Sequence, residues 1–377
     1  MRLLFVSHSF PPADRPMASI GGMQRVAVEL SESLDAHTSV TRIVLHSAWR
    51  WHHIQCALWL VPTFARIRSK ARRREIDAVL FSSMVTGALG LLLRHTLAKH
   101  DIPMAAIAHG KDVTQKGPYQ WFLVRRILQV LDAVLPVSRA TGAACMARGM
   151  PEARVHIIPN GVSAARFQPV ARERSPREVL LLCSVGRLVR RKGFAWFVRH
   201  VMPRLPANVH YHIGGAGPER ARIAAVIREC GLGDRVRLLG RLSEEGLLHL
   251  YDKARLLIVP NIPVPGDMEG FGIVMLEAGA CGVPAVASRL EGIQDVITEG
   301  VNGHLVVSRD AKGFAAAVAR YVDNPAAWQA LSSQTRQHTL AAFRWNTIAA
   351  RYVHALEDLR KQKTSDRYAT DSAANPG

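Results

Sequence analysis

VLLLCSVGRLVRRKGFAWFVRHVMPRL, residues 179–205, passes from an apolar run through a basic, glycine-bounded loop into a second apolar pattern. VLLLCSVG predicts a buried strand, RLVRRKG a loop and FAWFVRHVMPRL a helix. The same order stands at the start of the chain. There LLFV at residues 3–6 leads into a loop holding Gly21 and Gly22 and then into the helical pattern MQRVAVELSESL. At 377 residues the chain is about two and a half ordinary domains long, so each half can bury its own core.

Working outward from these two units, AVLF, MAAIA, AVLPVS and VHIIP are strand candidates in the first half, and VHYHIGG, VRLLG, RLLIVP and VPAVAS in the second. Strands alternating with helices predict an α/β fold of parallel sheets covered on both faces. Two Rossmann-like, doubly wound domains facing across a cleft are therefore expected. FQPVARERSPRE, residues 167–178, has the charge and proline of a linker, which places an N-terminal domain at 1–168 and a C-terminal one at 169–345. The polar end, residues 366–377, is expected as a disordered tail.

With 48% hydrophobic and 21% charged residues the chain has the balance of a folded protein. Its net charge of +19 favours phosphates, whether on a nucleotide, a nucleic acid or an anionic lipid, and does not choose among them. Cys56, Cys145, Cys183, Cys230 and Cys281 are scattered without a C-x-x-C pair, which fits a reduced, cytoplasmic setting and no structural zinc. The apolar run at the N-terminus ends at Ser7-His8 and Pro11-Pro12, too soon for a signal peptide. AVLFSSMVTGALGLLL, residues 78–93, is too short to span a bilayer and is expected as a buried strand turning into a helix.

The candidate chemistry lies where strands end and helices begin, since open α/β sheets bind ligands beyond the carboxyl ends of their strands. GDMEGFGIVMLEAGACGVPAVAS, residues 266–288, puts Glu269 just before a helix pattern starting near Phe271, and Glu277 about two turns inside it. A glycine-rich helix start offers free N–H groups to a phosphate. The alternative is that Glu269 merely favours the helix dipole and Glu277 is a solvated residue, although its neighbours Met275, Leu276, Ala278, Ala280 and Cys281 leave little polar face and favour the functional reading. In GRLVRRKGF, residues 186–194, Arg187 can grip phosphate oxygens in pairs and Lys192 adds a point charge. Arg190 and Arg191 fit a solvated basic loop. HIGGAGPERARI, residues 212–223, supplies order rather than chemistry. His109 in AIAHGKD stands at a strand end, where packing and catalysis explain a histidine equally well. His46, His52 and His53 lack neighbouring carboxylates or cysteines, and no D-x-D occurs anywhere, so no metal or other cofactor is expected.

Taken together, IIPNGV (157–162), VGRLVRRKG, GAGPE, Glu269 and Glu277 as E-x7-E, ACGVPAVAS and EGVNGHLV (299–306) resemble the GT-B retaining glycosyltransferases of family 4, the glycosyl transferases group 1. The resemblance implies that Glu269 holds hydroxyls of a donor sugar and Glu277 the ribose of its nucleotide. Arg187 and Lys192 would neutralise the diphosphate, with the amides of Phe271, Gly272 and Ile273 adding contacts. Gly22 matches a glycine loop closing on the donor, His109 a histidine near the anomeric centre, and residues 346–365 a helix returning to the N-terminal domain. Ser163 and Ala216 depart from common family residues at positions without expected chemistry.

Between Thr38 and Arg74 there is no acidic residue, while Arg42, Arg50, Arg66, Arg68, Lys70, Arg72, Arg73 and Arg74 mix with Trp49, Trp51 and Trp59. Such a mixture fits an anionic membrane surface, and a solvated basic face fits it too. Nucleic acid is not expected as a partner. The expected function is transfer of a sugar from a nucleoside diphosphate sugar to a glycan or lipid-linked acceptor of envelope, exopolysaccharide or lipopolysaccharide synthesis. The enzyme would work in the cytoplasm or peripherally on the inner face of the membrane. A nucleotide- or glycan-binding protein of the same fold without turnover is the alternative. A Rossmann oxidoreductase lacks its G-x-G-x-x-G in the first βα turn.

Overall fold

RLLFVSHSF forms the first strand, β1 (Arg2–Phe10), longer than the LLFV run predicts, because Ser7, His8 and Ser9 are buried with the apolar residues before them. The computed structural model describes residues 1–12, 22–46, 52–115, 117–168, 180–322 and 324–374. It divides the chain into two units, Met1–Asn160 with Trp345–Gly377, and Gly161–Arg344.

In unit 1, β1 is followed by α1 (Gly22–Leu34), β2 (Ser39–His46), α2 (His52–Arg72), β3 (Ala78–Phe81), α3 (Met84–Gly87) and α4 (Gly90–Lys99). Then come β4 (Met104–Ala108), α5 (Lys111–Thr114), α6 (Pro118–Val130), β5 (Ala133–Pro136) and α7 (Arg139–Met146). The strands pair in parallel in the order β2-β1-β3-β4-β5. β3 and β4 are buried throughout, which is why they appear in the sequence as unbroken apolar runs. VHIIP is not a strand. Val155 alone bridges to Val134, and the backbone then runs on through Ile158, whose N–H reaches the Pro136 carbonyl, to Pro159.

Unit 2 contains β6 (Leu180–Val185), α8 (Phe194–His200), β7 (Val209–Gly214), α9 (Arg220–Glu229), β8 (Val236–Gly240) and α10 (Glu244–Lys253). They are followed by β9 (Leu256–Val259), α11 (Ile273–Ala280), β10 (Ala285–Ser288), β11 (Gly303–Val306), α12 (Ala311–Val322) and α13 (Pro325–Phe343). Its sheet is also parallel, in the order β11-β10-β9-β6-β7-β8. In its core Phe197 meets Phe314 edge to face with ring centroids 5.9 Å apart and Tyr211 at a tilt with centroids 5.0 Å apart.

The division falls after Asn160 rather than after residue 168. Residues 161–168 are tied into unit 2 instead: the Val162 N–H donates to the Phe343 carbonyl at 2.7 Å, Phe167 is buried, and Arg166 pairs with Glu244. Most of the linker expected at 167–178 lies outside the described residues. The last helix, α14 (Trp345–Ala374), belongs to unit 1 and packs on α1, where Trp345 donates to Glu29 and His37 meets the Asn346 side chain at 2.8 Å. It continues to Ala374, beyond the expected end at residue 365, so the tail expected to be disordered is helical up to that point.

In unit 2 the chain runs from β6 outward through β7 to β8, then returns to the other side of β6 with β9 and continues to β10 and β11. The strand order therefore reverses between β6 and β9, and the loops leaving those two strands meet at the carboxyl edge of the sheet, where the Ile262 N–H donates to the Arg191 carbonyl at 2.8 Å. Arg187 and Lys192 follow β6, and Asn261 and Glu269 follow β9.

Candidate functional site

The loop after β6 rests on the loop after β7, backbone against backbone. A Cβ on Gly215 would collide with the Gly186 carbonyl, and one on Gly217 with the Leu188 carbonyl. The Leu188 N–H donates to the Ala216 carbonyl and its own carbonyl accepts from the Glu219 N–H, both at 3.0 Å. Glycines in GGAGPE thus let one loop brace the other, the ordering role expected of them. On this base Arg187 is exposed and has no ion-pair partner among the described residues. Lys192 instead turns inward and is 7% exposed.

Lys192 meets Glu269, 77 residues along the chain, with Nζ 2.5 Å from Oε2. The same oxygen accepts from Asn261 Nδ2 at 2.9 Å and from Arg191. Arg191 also reaches Asp267 at 3.2 Å, so it is no solvated loop residue, although Arg190 stays exposed. Three donors converge on Oε2, whereas Oε1 has no hydrogen-bond partner among the described residues. Burial alone would raise the Glu269 carboxyl, but Lys192 and Arg191 outweigh it and hold the group at about 2. Burial lowers the Lys192 ammonium while Glu269 opposes the change. An ammonium has three N–H groups, so the bond to Glu269 leaves Lys192 two more for an anion.

Behind Glu269, Gly272 caps α11 with φ +89°, a left-handed conformation that a side chain there would strain. α11 therefore begins at Ile273, two residues later than the sequence predicts. Its first N–H groups stay available to an anion. Phe271 is anchored beneath it against Phe343, ring centroids 6.2 Å apart. Glu277 lies in the second turn of α11, buried, with Tyr251 Oη donating to Oε2 at 3.3 Å. It is not a solvated helix residue. Unit 2 thus brings Arg187, Lys192, Glu269, Phe271, Gly272, Ile273 and Glu277 to the carboxyl edge of one sheet.

Gly22 and His109 belong to unit 1. Gly22 opens α1 and is exposed, and Gly21 lies outside the described residues. His109 follows β4. Its Nε2 donates to the Ser82 carbonyl at 2.8 Å, and since a carbonyl only accepts, the neutral ring keeps its lone pair on Nδ1. Its backbone N–H is held by Asp112 at 2.9 Å.

Arg42 is exposed but tied to Ser31 at 2.7 Å and to Asp35, so part of the basic face expected between Thr38 and Arg74 is already paired. Lys70 pairs with Glu75 at 2.9 Å, and Trp59 packs on the core of unit 1. Arg50, Trp49 and Trp51 lie outside the described residues. Arg66, Arg68 and Arg72 remain exposed on α2, beside Leu58 and Val61, each 71% exposed. Among the described residues no group of His, Cys, Asp and Glu could hold a metal ion, and no helix is long and apolar enough to cross a membrane. The five cysteines are free.

Asn261 and Glu291 were not evident from the sequence. Asn261, two residues after β9, carried a weak signal as a polar residue in NIPVP. Glu291 carried none.

The family model for glycosyl transferases group 1 matches residues 168–338, and that for glycosyltransferase family 4 matches residues 20–166. A GDP-mannose-dependent alpha-(1-6)-phosphatidylinositol monomannoside mannosyltransferase of Mycolicibacterium smegmatis is 30% identical over 318 residues, 80% of this chain and 82% of that protein. The amylovoran biosynthesis glycosyltransferase AmsK of Erwinia amylovora is 26% identical over 271 residues, 71% of this chain; the match covers 66% of AmsK. The chain spans 62% of the length of a Mycobacterium tuberculosis glycogen synthase that it also matches. Among solved structures, sucrose-phosphate synthase from Thermosynechococcus elongatus superposes with a TM-score of 0.76 at 24% identity, covering 95% of this chain and 99% of that one. Anabaena Alr3699/HepE in complex with UDP-glucose superposes with 0.70 at 17% identity, covering 95% and 100%.

Proposed function

The chain belongs to the GT-B glycosyltransferases of group 1 and family 4, and from that premise we propose that it is a retaining, metal-independent hexosyltransferase. Its donor is a nucleoside diphosphate sugar. Its acceptor is a glycan or lipid-linked saccharide of envelope, exopolysaccharide or lipopolysaccharide synthesis. The observation that carries this is the Glu269 carboxylate: ionised, fixed through Oε2 by Lys192, Arg191 and Asn261, and open at Oε1. An acid held at about 2 accepts hydrogen bonds from sugar hydroxyls and stays anionic beside a carbon acquiring oxocarbenium character.

Transfer breaks the bond between the anomeric carbon and the diphosphate oxygen and forms one to the acceptor oxygen on the same face. The acceptor's proton passes to the leaving diphosphate. Negative charge grows on that diphosphate, and Arg187, the remaining N–H groups of Lys192 and the start of α11 are the fixed positive groups that stabilise it. Glu277 takes the ribose. His109 and Gly22 keep the roles the resemblance implies. The protein works in the cytoplasm, peripherally at an anionic membrane surface met by the exposed Leu58, Val61, Arg66, Arg68 and Arg72 of α2.

The test is thermal stability without metal, against UDP, GDP, ADP, CDP and dTDP and their hexose conjugates. A nucleotide at about 100 times its Kd adds roughly 2.7 kcal/mol. Wild type should respond to one base, and Glu269→Gln should lose the added response to its sugar conjugate. No response from folded wild type to any member would refute the proposal, and binding without turnover would favour the inactive alternative.

A further inference from the structure

The main chain of Glu269 is gripped on both sides by the turn that follows β10. Its N–H donates to Glu291 Oε2 at 2.5 Å, and its carbonyl accepts from the Gly292 N–H at 3.2 Å. The two turns touch so closely that a Cβ on Gly292 would collide with the Gly270 carbonyl.

Glu291 is an unfavourable residue for this place on two counts. Its φ of +47° is left-handed, a conformation that glycine adopts freely and a glutamate does not. Its carboxyl is half-buried beside Glu269 and Asp267, and burial raises its pKa first of all. Strained backbone at a residue with a demanding side chain points to a function for that side chain. Here the carboxylate caps the one peptide that carries Glu269. Arg191 lies near both acids and pairs with Asp267 at 3.2 Å, so the turn after β10, the loop after β9 and the loop after β6 meet through one network.

We propose that Glu291 is a positioning residue for Glu269: by capping the Glu269 N–H it fixes that peptide, and with it the direction in which Oε1 meets the donor sugar. Lys192, Arg191 and Asn261 hold the far end of the side chain at Oε2, and Glu291 with Gly292 holds its root. A carboxylate fixed at both ends has one orientation, which is what a group acting on a developing charge requires. The proposal rests on the donor-sugar reading of Glu269.

Glycine at this position separates function from folding, because it relieves the left-handed backbone while removing the cap. The experiment compares wild type with Glu291→Gly, Glu291→Gln and Glu269→Gln. It follows thermal midpoint, Kd for UDP and GDP, and nucleoside diphosphate released from a panel of UDP- and GDP-hexoses at saturation. Glu291→Gly is expected to melt at or above the wild-type midpoint and bind the nucleoside diphosphate within twofold. Its release rate should fall roughly tenfold to a hundredfold. Glu291→Gln keeps an oxygen acceptor and should release within about threefold of wild type. Glu291→Gly releasing at the wild-type rate, or losing midpoint and nucleotide affinity together, overturns the proposal, as does Glu291→Gln being as poor as Glu291→Gly. If Glu269→Gln is crippled and Glu291→Gly is not, the positioning role alone fails. Wild-type rates in Glu269→Gln, or no release by wild type from any donor, bring down the donor-sugar reading itself.

Discussion

Replacing Lys192 with methionine keeps most of the side-chain length and removes the charge that faces Glu269. The side chains of the pair are 9% and 10% exposed, so water replaces little of what is lost. Glu269 stands at about 2 against an ordinary value of 4.5, and that difference corresponds to about 3 kcal/mol of stability tied to its ionised form. Breaking a buried ion pair costs about 3–5 kcal/mol, and Arg191 and Asn261, still bonded to Oε2, put this case at the lower end. The first figure belongs to all the donors on Glu269 together, and burial also lowers the Lys192 ammonium, so about 3 kcal/mol is the upper figure for Lys192 alone. For a unit the size of Gly161–Arg344 that is a fall in Tm of roughly 6–12 °C.

The pH dependence has a definite sign. A carboxyl depressed in the folded state contributes its full stability above its unfolded pKa and loses it as pH falls toward its folded one. The wild type should therefore shed this contribution between about pH 4.5 and about 2. Lys192→Met raises the folded value, so the two proteins should converge across that window. Urea unfolding at pH 7, 5 and 3.5 measures the difference directly. Because Arg191 and Asn261 still hold Oε2, adding Glu269→Gln to Lys192→Met should recover little, and the coupling of the pair should show as a double-mutant loss smaller than the sum of the two single losses. A loss below about 1 kcal/mol at pH 7, or a difference that ignores pH, would refute the buried-pair account.

Arg187→Ala should leave Tm within the change expected of an exposed site, about 0.5 kcal/mol, while weakening nucleoside diphosphate binding roughly tenfold or more by calorimetry. Glu277→Gln should raise the Kd for the preferred nucleotide roughly tenfold, and an equal loss for inorganic pyrophosphate would remove Glu277 from the ribose. Excess EDTA should leave donor turnover within about twofold, whereas abolition restored by a divalent ion would overturn metal independence. Leu58→Asp with Val61→Asp, at two exposed positions, should reduce sedimentation with anionic vesicles without lowering Tm, and unchanged sedimentation would take α2 out of any membrane contact.

Parallel strands buried on both faces leave an apolar run in the sequence, and β3, β4, β9 and β10 could be found from it. SVTRIVLH, which became β2, is only partly buried along its length, and GHLV of β11 is a four-residue edge; neither carries that signal. VHIIP carries it without being a strand, because only Val155 and the backbone N–H groups of His156 and Ile158 find partners on β5.

The site divides along the same physical line. Glu269 and Glu277 stand eight positions apart on one loop and helix, so their spacing is local and survives in the sequence. Arg191 lies 78 positions from Glu269 and Glu291 lies 22, and nothing short of the folded crossing of β6, β9 and β10 brings them together. A basic run also hides which of its members turns inward: in RLVRRKG, Arg190 meets solvent while Arg191 and Lys192 converge on one carboxylate oxygen. That convergence gives Lys192 two functions that compete only in part. One N–H orients Glu269, and the other two remain for phosphate oxygens. The ion pair that stabilises unit 2 and the charge that would stabilise a leaving diphosphate therefore reside in the same ammonium. Loss of Lys192 should then lower stability and donor turnover together, whereas loss of exposed Arg187 should lower donor binding and turnover and leave stability unchanged.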